Sequence, residues 1–322
     1  MKKILLIHTG GTIAMAEDKE TGSVNTQNRH PLERELPELA GLADITSENF
    51  LNVPSPHVTP EHMLRLSCFI ENKLKQDTYD GIVVTHGTDT LEETAFLLDL
   101  VLQTTVPVIV TGAMRSSNEH GSDGPYNLIS SVKVASSSES AGKGVLVVFN
   151  EEIHTAKNVT KTHTSNIATF QSPQYGPIGI VTKRGVFFHH TPVKSAVHTV
   201  TRLTKKVLLL KAFAGMDGIL IKNAASGMDG IVIEALGQGN LPPATVPALV
   251  QLITEGKPVV LVSRCFNGIV QDIYSYDGGG KKLKEAGLIF SNGLNGQKAR
   301  LKLMVALELT ENRHRLQELF DQ

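Results

Sequence analysis

Residues 81–90, GIVVTHGTDT, constrain the fold most, because an apolar run passes there directly into a polar one. Ile82, Val83 and Val84 are typical of a strand buried inside a parallel sheet. The polar residues that follow, and a helix predicted at residues 91–102, indicate a strand, a turn and a helix in succession. Since ligands of open α/β sheets bind at the carboxyl ends of the strands, this turn is placed for chemistry.

The same arrangement opens the chain, where an apolar strand at residues 2–7 precedes the Gly-rich turn HTGGTIA at residues 8–14. Further strands are predicted at residues 106–111 and 144–150, with a helix at residues 126–136 between them and another at residues 60–75 before the central strand. This alternation predicts an α/β fold with a doubly wound, mostly parallel sheet. Right-handed crossovers would bring the polar turns to one edge of that sheet.

Three segments of the first half are harder to assign from the pattern. Residues 16–27 are polar and show no period, so we expect a mobile surface loop of the kind that covers sites. Residues 32–43 are predicted to form a short helix, and residues 50–58 an edge strand that runs into a Pro-rich turn. Thr59 and Pro60 predict the start of the helix that follows.

A chain of 322 residues corresponds to roughly two domains. We predict a larger N-terminal catalytic α/β domain at residues 1–190, a linker at 191–206 where the periodicity fails, and a smaller C-terminal α/β domain at 207–322. The second domain carries predicted strands at residues 207–213, 230–234 and 259–264, and helices at 244–255 and 297–309.

Composition excludes several classes of function. A net charge of -1 gives no reason to expect a nucleic acid or an acidic membrane as partner. The chain has two cysteines, Cys68 and Cys265, each in an apolar segment, which favours buried free thiols in a reducing compartment. The apolar run after Lys2 and Lys3 is shorter than a secretory core, and no stretch is long enough to span a membrane. We therefore expect a soluble cytoplasmic protein.

The polar turns supply the candidate catalytic residues. Gly10 and Gly11 do not fit a dinucleotide-binding pattern, and no phosphate-binding lysine follows them. Thr12, Thr88, Asp89 and Lys161 are instead the residues that could form a joint site, because a threonine nucleophile needs a neighbouring base or cation. The alternative is that Thr and Asp after strands only cap helices, as Asp89 could for the helix after it.

Specific motifs strengthen the catalytic interpretation. TGGTIA at residues 9–14 and GIVVTHGTDTLEETA at residues 81–95 together resemble the two-domain bacterial L-asparaginase family. Further matches cover essentially the whole chain: DGPYNL at 123–128, NVTKTHTSNIATF at 158–170, YGPIG at 175–179, GQGNLP at 237–242 and GLNGQKAR at 293–300.

The resemblance implies hydrolysis of L-asparagine to L-aspartate and ammonia, without a metal or an organic cofactor. Thr12 matches the family nucleophile, which forms a β-aspartyl ester with the substrate. Thr88, Asp89 and Lys161 match a second catalytic group near the same carbon. Asp89 and Thr88 would also contact the substrate, and Ser55, in the context NVPSPHV, matches the serine that takes the α-carboxylate.

The resemblance also implies a backbone site and an assembly. Gly11, Gly87 and Ala113 would contact the substrate, and the amides around Gly87 and Ala113 would stabilise the oxyanion. Asn240 matches a residue that supports the active site of a neighbouring subunit. The expected assembly is an intimate homodimer, with a tetramer built from two such dimers.

Two departures from the family pattern concern the activation of the nucleophile and the grip on the substrate. Family members carry a tyrosine in the loop after the first motif, whereas the first tyrosine here is Tyr79. Many also carry a glutamate that reaches over from a neighbouring subunit, and Tyr274 stands at its place in VQDIYSYDGGG. We hypothesise that Tyr274 or Asp277 supplies the substitute.

Three alternatives to asparagine hydrolysis stay open at this point. Glutamine is a near substrate, because one methylene discriminates by only about 1–3 kcal/mol. An ammonia-releasing subunit of a transamidation complex usually carries an added domain, for which this chain has no room. A non-catalytic amino-acid sensor would need the substrate contacts but not two threonines and a lysine together.

Overall fold

The computed structural model describes residues 1–18, 20–26, 39–193 and 195–321. The chain divides into two compact units, Met1–Val197 and His198–Gln322, and the division falls inside the segment 191–206. The helix predicted at residues 32–43 falls largely on residues 32–38, which lie outside the described residues.

The first unit is built on a long sheet. Its strands, in chain order, are β1 (Lys3–His8), β2 (Met15–Glu17), β3 (Val24–Thr26), β4 (Asp44–Asn49), β5 (Gly81–Thr85), β6 (Val108–Thr111), β7 (Val145–Phe149), β8 (Glu152–Thr155), β9 (Thr160–Lys161), β10 (Phe170–Gln171), β11 (Gly179–Thr182) and β12 (Gly185–Phe188). Eight of these strands form the main sheet, in the order β12-β11-β8-β7-β6-β5-β1-β4.

The main sheet is parallel where the polar turns are and antiparallel at one end. β4, β1, β5, β6 and β7 run parallel to one another. β8, β11 and β12 add to β7 as antiparallel strands. The mostly parallel α/β architecture predicted from the sequence is thereby confirmed, and the carboxyl ends of β1, β4, β5 and β6 share one edge.

Helices cover both faces of this sheet, as a doubly wound fold requires. They are α1 (Pro60–Gln76), α2 (Leu91–Val101) and α3 (Gly124–Ser136). Leu66 of α1 and Leu98 of α2 pack in one apolar cluster with Val84, whereas Leu128 of α3 packs in a second cluster with Val83. Thr59 caps α1 as expected: its hydroxyl accepts the amide of His62 at 3.3 Å.

Two local predictions were wrong. The edge strand is β4 (Asp44–Asn49), not residues 50–58, where a 3-10 turn (Ser55–His57) occurs instead. β4 is mostly polar because it is paired only with β1, so its apolar signal is weak. Residues 16–27 are not a loop without structure: β2 and β3 pair there as an antiparallel hairpin.

The second unit repeats the parallel pattern on a smaller scale. Its strands β13 (Val207–Lys211), β14 (Gly230–Ala235), β15 (Val259–Ser263) and β16 (Ile289–Phe290) are parallel and adjacent in that order. Its helices are α4 (Gly218–Ala224), α5 (Val246–Thr254), α6 (Gly280–Ala286), α7 (Gly296–Leu309) and α8 (Arg313–Asp321).

The environment of the cysteines differs from the prediction. Cys68 and Cys265 are free thiols, but both are exposed rather than buried. Cys68 lies on the outer side of the amphipathic helix α1, and Cys265 lies in the turn after β15. Among the helices of the described residues, none is both long and apolar enough to cross a membrane.

Close backbone contact brings the turns after β1 and β5 together. A Cβ atom on Gly11, whose φ is +84°, would lie 2.1 Å from the Cα of Gly87. A Cβ atom on Gly87 would in turn lie 2.7 Å from the Cβ of Ser55, in the turn after β4. Three strand-end turns therefore meet at a point where no side chain fits.

This contact predicts a large cost for a methyl group at Gly11. Gly215 is a matched control, since its φ is +78° and a Cβ there meets nothing within 4 Å. Gly215→Ala should cost about 1–2 kcal/mol of unfolding free energy for its left-handed backbone. Gly11→Ala should cost more than about 4 kcal/mol or prevent folding altogether.

Urea unfolding followed by circular dichroism measures both variants, because the chain contains no tryptophan. Equal losses in the two variants would show that the turns can separate without cost, contrary to this expectation.

Candidate active site

Thr12 stands where β1 passes into the turn at the carboxyl edge of the sheet. It is the first residue of a 3-10 turn, Thr12–Ala14, and it is partly exposed. Among the residues that the structure describes, no hydrogen bond to its hydroxyl is found. The hydroxyl is thus available to a ligand, one residue away from the contact between Gly11 and Gly87.

Lys161 joins the turn after β5 through two hydrogen bonds. Its Nζ donates to Thr88 Oγ1 at 2.9 Å and to Asp89 Oδ1 at 2.7 Å. The lysine side chain is 16% exposed and the aspartate side chain 60% exposed, so the carboxylate is the end of the pair that faces solvent. The sequence predicts these three residues as one group, and the structure brings them together.

The capping alternative for Asp89 does not hold. The N-cap of α2 is Thr90, and Asp89 uses its carboxylate on Lys161 instead. Thr90 itself makes no side-chain capping bond, since its hydroxyl donates to the Ser55 carbonyl at 2.8 Å.

Ser55 is buried against the same turn. Its Oγ accepts the amide of Asp89 at 3.2 Å, and its side chain packs against Gly87. A serine hydroxyl has one proton to donate besides its acceptor positions. Ser55 therefore keeps a donor for a ligand oxygen beside the exposed carboxylate of Asp89.

Two buried backbone amides at this edge are unusual. Gly87 and Ala113 are both buried. Within the described part of the chain, neither amide donates a hydrogen bond. Because buried amides are nearly always paired, two unpaired ones in neighbouring turns are suited to bind a ligand oxygen.

Asp123 holds the turn that carries Ala113. Its Oδ1 accepts the amides of Met114 at 3.1 Å and Arg115 at 3.0 Å, and its Oδ2 accepts Asn127 Nδ2 at 3.1 Å. Asp123 precedes α3 but makes no capping bond to it. The sequence marked this residue only as part of the motif DGPYNL.

The hairpin of β2 and β3, directly after Thr12, is tied to the loop after β6. Ser117 donates to the Met15 carbonyl from its amide at 3.0 Å and from its hydroxyl at 2.9 Å. The side-chain amide of Asn118 pairs with the backbone of Glu17 in both directions, each bond being 2.8 Å. Nothing in the sequence pattern singled out these residues.

His86 is fully enclosed and serves the backbone. Its Nδ1 lies 2.8 Å from the Gly87 carbonyl and its Nε2 lies 2.9 Å from Thr94 Oγ1. A carbonyl can only accept, so Nδ1 carries the proton and Nε2 accepts the threonine hydroxyl. Burial lowers the pKa of His86 to about 4, which keeps the imidazole neutral at pH 7.

The second unit holds the other candidate residues. Asn240 Oδ1 accepts the amide of Gly280 at 3.3 Å, which ties the turn after β14 to the start of α6. Tyr274 is 40% exposed, and its ring packs against that of Tyr276 at a tilt of 40°, the ring centroids being 5.6 Å apart. Asp277 is exposed and pairs with Lys282 at 2.5 Å, and this hydrogen bond lowers the pKa of the aspartate.

Metal binding has no support among the residues described, where no group of three or more His, Cys, Asp or Glu side chains is arranged to hold an ion. The arrangement of the first unit instead provides hydroxyls, one cation, one exposed carboxylate and two amide donors. Such a set is suited to acyl transfer.

Comparison with known proteins agrees with this chemistry. A family model for the asparaginase N-terminal domain matches residues 3–194, and one for the glutaminase/asparaginase C-terminal domain matches residues 206–320. A probable L-asparaginase of Deinococcus radiodurans is 40% identical, with 100% of this chain and 98% of that protein covered. L-asparaginase 2 of Escherichia coli K12 is 34% identical, with 100% and 93% covered.

A solved structure is similar as well. The crystal structure of a probable cytoplasmic L-asparaginase from Campylobacter jejuni superposes with a TM-score of 0.88 and 34% identity, and the match covers 100% of both chains.

The state of His86 predicts a pH dependence of stability. Its folded pKa of about 4 lies below the 6.5 of an exposed histidine. As the pH falls, His86 is therefore protonated in the unfolded chain before it is protonated in the folded one. The contribution of neutral His86 to the unfolding free energy is present above pH 6.5 and is lost as the pH falls toward 4. Between pH 7 and pH 5 this group should remove about 2 kcal/mol of unfolding free energy.

Urea unfolding at pH 7 and pH 5 measures this loss of unfolding free energy. In His86→Gln the loss should be smaller by about 2 kcal/mol than in the unaltered protein. In His120→Gln, a control at an exposed histidine, it should be unchanged. Should the variant fail to fold, a histidine NMR titration of the unaltered protein decides: a pKa above 6 for His86 would refute the expectation.

Proposed function

This chain belongs to the asparaginase family, and from that premise we propose that it hydrolyses L-asparagine to L-aspartate and ammonia with Thr12 as nucleophile. The observation that carries the proposal is the meeting of two strand-end turns at Gly11 and Gly87. It brings the segment of Thr12 beside that of Thr88, to which Lys161 is bonded.

In the proposed first step, the Thr12 oxygen attacks the side-chain amide carbon of the substrate. The unpaired amides of Gly87 and Ala113 are the donors proposed for the oxygen that becomes negative. Donors of this kind, fixed before the reaction, each stabilise a transition state by about 3–4 kcal/mol. The carbon–nitrogen bond then breaks and leaves a β-aspartyl ester on Thr12.

Thr88 is proposed to carry the proton of this step. Its oxygen has two lone pairs and one proton, and Lys161 occupies one lone pair. The other lone pair can take the Thr12 proton while Thr88 gives its own proton to the leaving nitrogen, which departs as ammonia. This relay needs no tyrosine, in agreement with the absence of tyrosine before Tyr79.

Water completes the proposed cycle. It attacks the ester carbon, Thr88 takes its proton as it passes its own back to the Thr12 oxygen, and L-aspartate leaves. The Lys161 cation lies beside Thr88 in both steps and stabilises the negative charge that develops there.

Asp89 and Ser55 are proposed to orient the substrate. The exposed Asp89 carboxylate suits an α-ammonium group, and the hydroxyl of Ser55 suits an α-carboxylate oxygen. The backbone amide of Asp89 donates a hydrogen bond to Ser55 Oγ. The proposed partners of the α-ammonium and α-carboxylate groups are therefore fixed relative to each other. Glutamine is the second candidate substrate, since the C-terminal family model describes glutaminases as well as asparaginases.

We also propose that the protein works in the cytoplasm as a homo-oligomer, a tetramer of two intimate dimers. The unpaired cysteines and the cytoplasmic description of the Campylobacter jejuni protein support that location. An exposed apolar group on the second unit supports assembly; it comprises Phe266, Ile269, Ile273, Tyr274 and Tyr276.

The reaction is tested by ammonia release from L-asparagine and L-glutamine in parallel. Thr12→Ala should release none, yet still bind L-aspartate in calorimetry. Lys161→Met should lower kcat by about 10²- to 10³-fold, because it removes the cation beside the reacting group. Lys183→Met, an exposed lysine, is the control and should keep full activity.

An active Thr12→Ala variant would remove the proposed nucleophile. An unaltered protein that binds L-aspartate but releases no ammonia from either substrate would favour the amino-acid sensor.

Tyr274 is proposed to take the place of the family's neighbouring-subunit glutamate, since Asp277 is already paired with Lys282. Tyr274→Phe should raise KM for L-asparagine about tenfold, the effect of about 1.4 kcal/mol of lost binding. Tyr276→Phe is the control, and light scattering should show the same oligomer for both variants. Unchanged kinetics in both Tyr274→Phe and Asp277→Ala would eliminate the hypothesis.

A further inference from the structure

Glu92 is a buried carboxylate that the proposed reaction does not use. It is the second residue of α2 and only 4% exposed. Its Oε1 accepts the hydroxyl of Thr160 at 3.0 Å and the backbone amide of Lys161 at 3.2 Å. Burying a carboxylate to this degree costs free energy unless hydrogen-bond donors surround it. The segment of Lys161 supplies such donors, which indicates that the contact has a role.

This role concerns the position of the Lys161 backbone. A lysine side chain carries its amine on a flexible stem of four carbons, so the side chain alone does not fix where the amine lies. The position of the amine therefore also depends on where the lysine backbone is fixed. The backbone of Lys161 belongs to β9, which pairs with β10 in a two-stranded sheet and not with the main sheet. The hydrogen bonds to Glu92 connect β9 with the first turn of α2.

The same short segment of chain therefore holds Lys161 at both ends. Thr88 and Asp89, just before α2, accept its ammonium group. Glu92, in the first turn of α2, accepts its backbone amide. Because Thr88 and Glu92 are only four residues apart, one short segment at the start of α2 sets the distance between the two attachment points.

We propose that Glu92 is a positioning residue of the active site, which places the Lys161 amine against Thr88 by fixing the lysine backbone. The inference rests on the proposed function of Lys161. Glu92 acts through its Oε1 as an acceptor for the Thr160 hydroxyl and the Lys161 amide, and the N-terminus of α2 stabilises its negative charge. The head-group contacts proposed for Asp89 and Ser55 do not include Glu92.

The variants separate the acceptor from the charge. Glu92→Gln keeps an oxygen at the same place, whereas Glu92→Leu leaves the amide of Lys161 and the hydroxyl of Thr160 without this partner. Thr160→Val removes one of the two donors with little change of shape. Thr162→Val is its matched control, because the Thr162 hydroxyl lies nearby in the chain but donates to the Thr169 carbonyl.

The expected results concern kcat rather than KM. Glu92→Leu should lower kcat about 10- to 100-fold, because displacement of a catalytic group by an ångström has an effect of that size. KM should change by less than about threefold, and Glu92→Gln and Thr162→Val should stay within about threefold of the unaltered kcat. The kcat of Thr160→Val should lie between that of Glu92→Leu and that of Glu92→Gln. The double variant of Thr160→Val and Glu92→Leu should have a kcat no lower than that of Glu92→Leu alone.

Hydrogen exchange gives a readout that does not require activity. The Lys161 amide should exchange about tenfold faster in Glu92→Leu than in the unaltered protein, and at the original rate in Glu92→Gln. If Glu92→Leu does not fold, Thr160→Val and Glu92→Gln are measured against Thr162→Val in the same two assays.

The outcomes distinguish the two proposals. An unaltered protein without ammonia release refutes the proposed function, and exchange still tests the tie between Glu92 and Lys161. An active protein in which Glu92→Leu keeps its kcat refutes the positioning role alone. A loss in Glu92→Gln equal to that in Glu92→Leu also refutes it, because the charge and not the acceptor would then be required.

Discussion

The contact between the backbones of Gly11 and Gly87 is the constraint on which the site depends. The register of the sheet places His8 opposite Thr85, so the turns after β1 and β5 leave the sheet side by side. Only residues without a Cβ can then pass each other at this distance. In the proposed reaction, the nucleophile follows one of these glycines and the proton carrier follows the other, so the fold itself supplies their proximity.

Around this contact, buried or partly buried polar side chains bind the backbone rather than a ligand. Asp123 binds the amides of Met114 and Arg115, His86 binds the Gly87 carbonyl, and Glu92 binds the amide of Lys161. Each of the three also has a side-chain partner, namely Asn127, Thr94 and Thr160, so these polar groups are hydrogen-bonded where they are withdrawn from solvent. The exposed groups, above all the carboxylate of Asp89, are left for a substrate.

The sequence predicts the parts of the fold that are local and apolar. The buried parallel strands are continuous apolar runs, and the helices between them show their own period, so both could be identified from the pattern alone. The edge strand β4 and the hairpin of β2 and β3 could not, because exposed or short strands carry few apolar residues. Thr88, Asp89 and Lys161 could be grouped because strand ends and family motifs marked them. Glu92 could not, because its partners lie 68 and 69 residues away and only tertiary structure brings them together.

The charge distribution of the site supports the proposal that one carboxylate, that of Asp89, contacts both Lys161 and a substrate ammonium group. Asp89 Oδ1 is bonded to Lys161, whose side chain is largely buried, while most of the Asp89 side chain stays exposed. An α-ammonium group that arrives from solvent would therefore meet the exposed part of the carboxylate without displacing the lysine. In the proposed reaction, Lys161 stays on Thr88 throughout, because Glu92 accepts its backbone amide and two oxygens accept hydrogen bonds from its amine. In the proposed reaction, recognition of the head group and activation of the hydroxyl thus share one aspartate but use different sides of it.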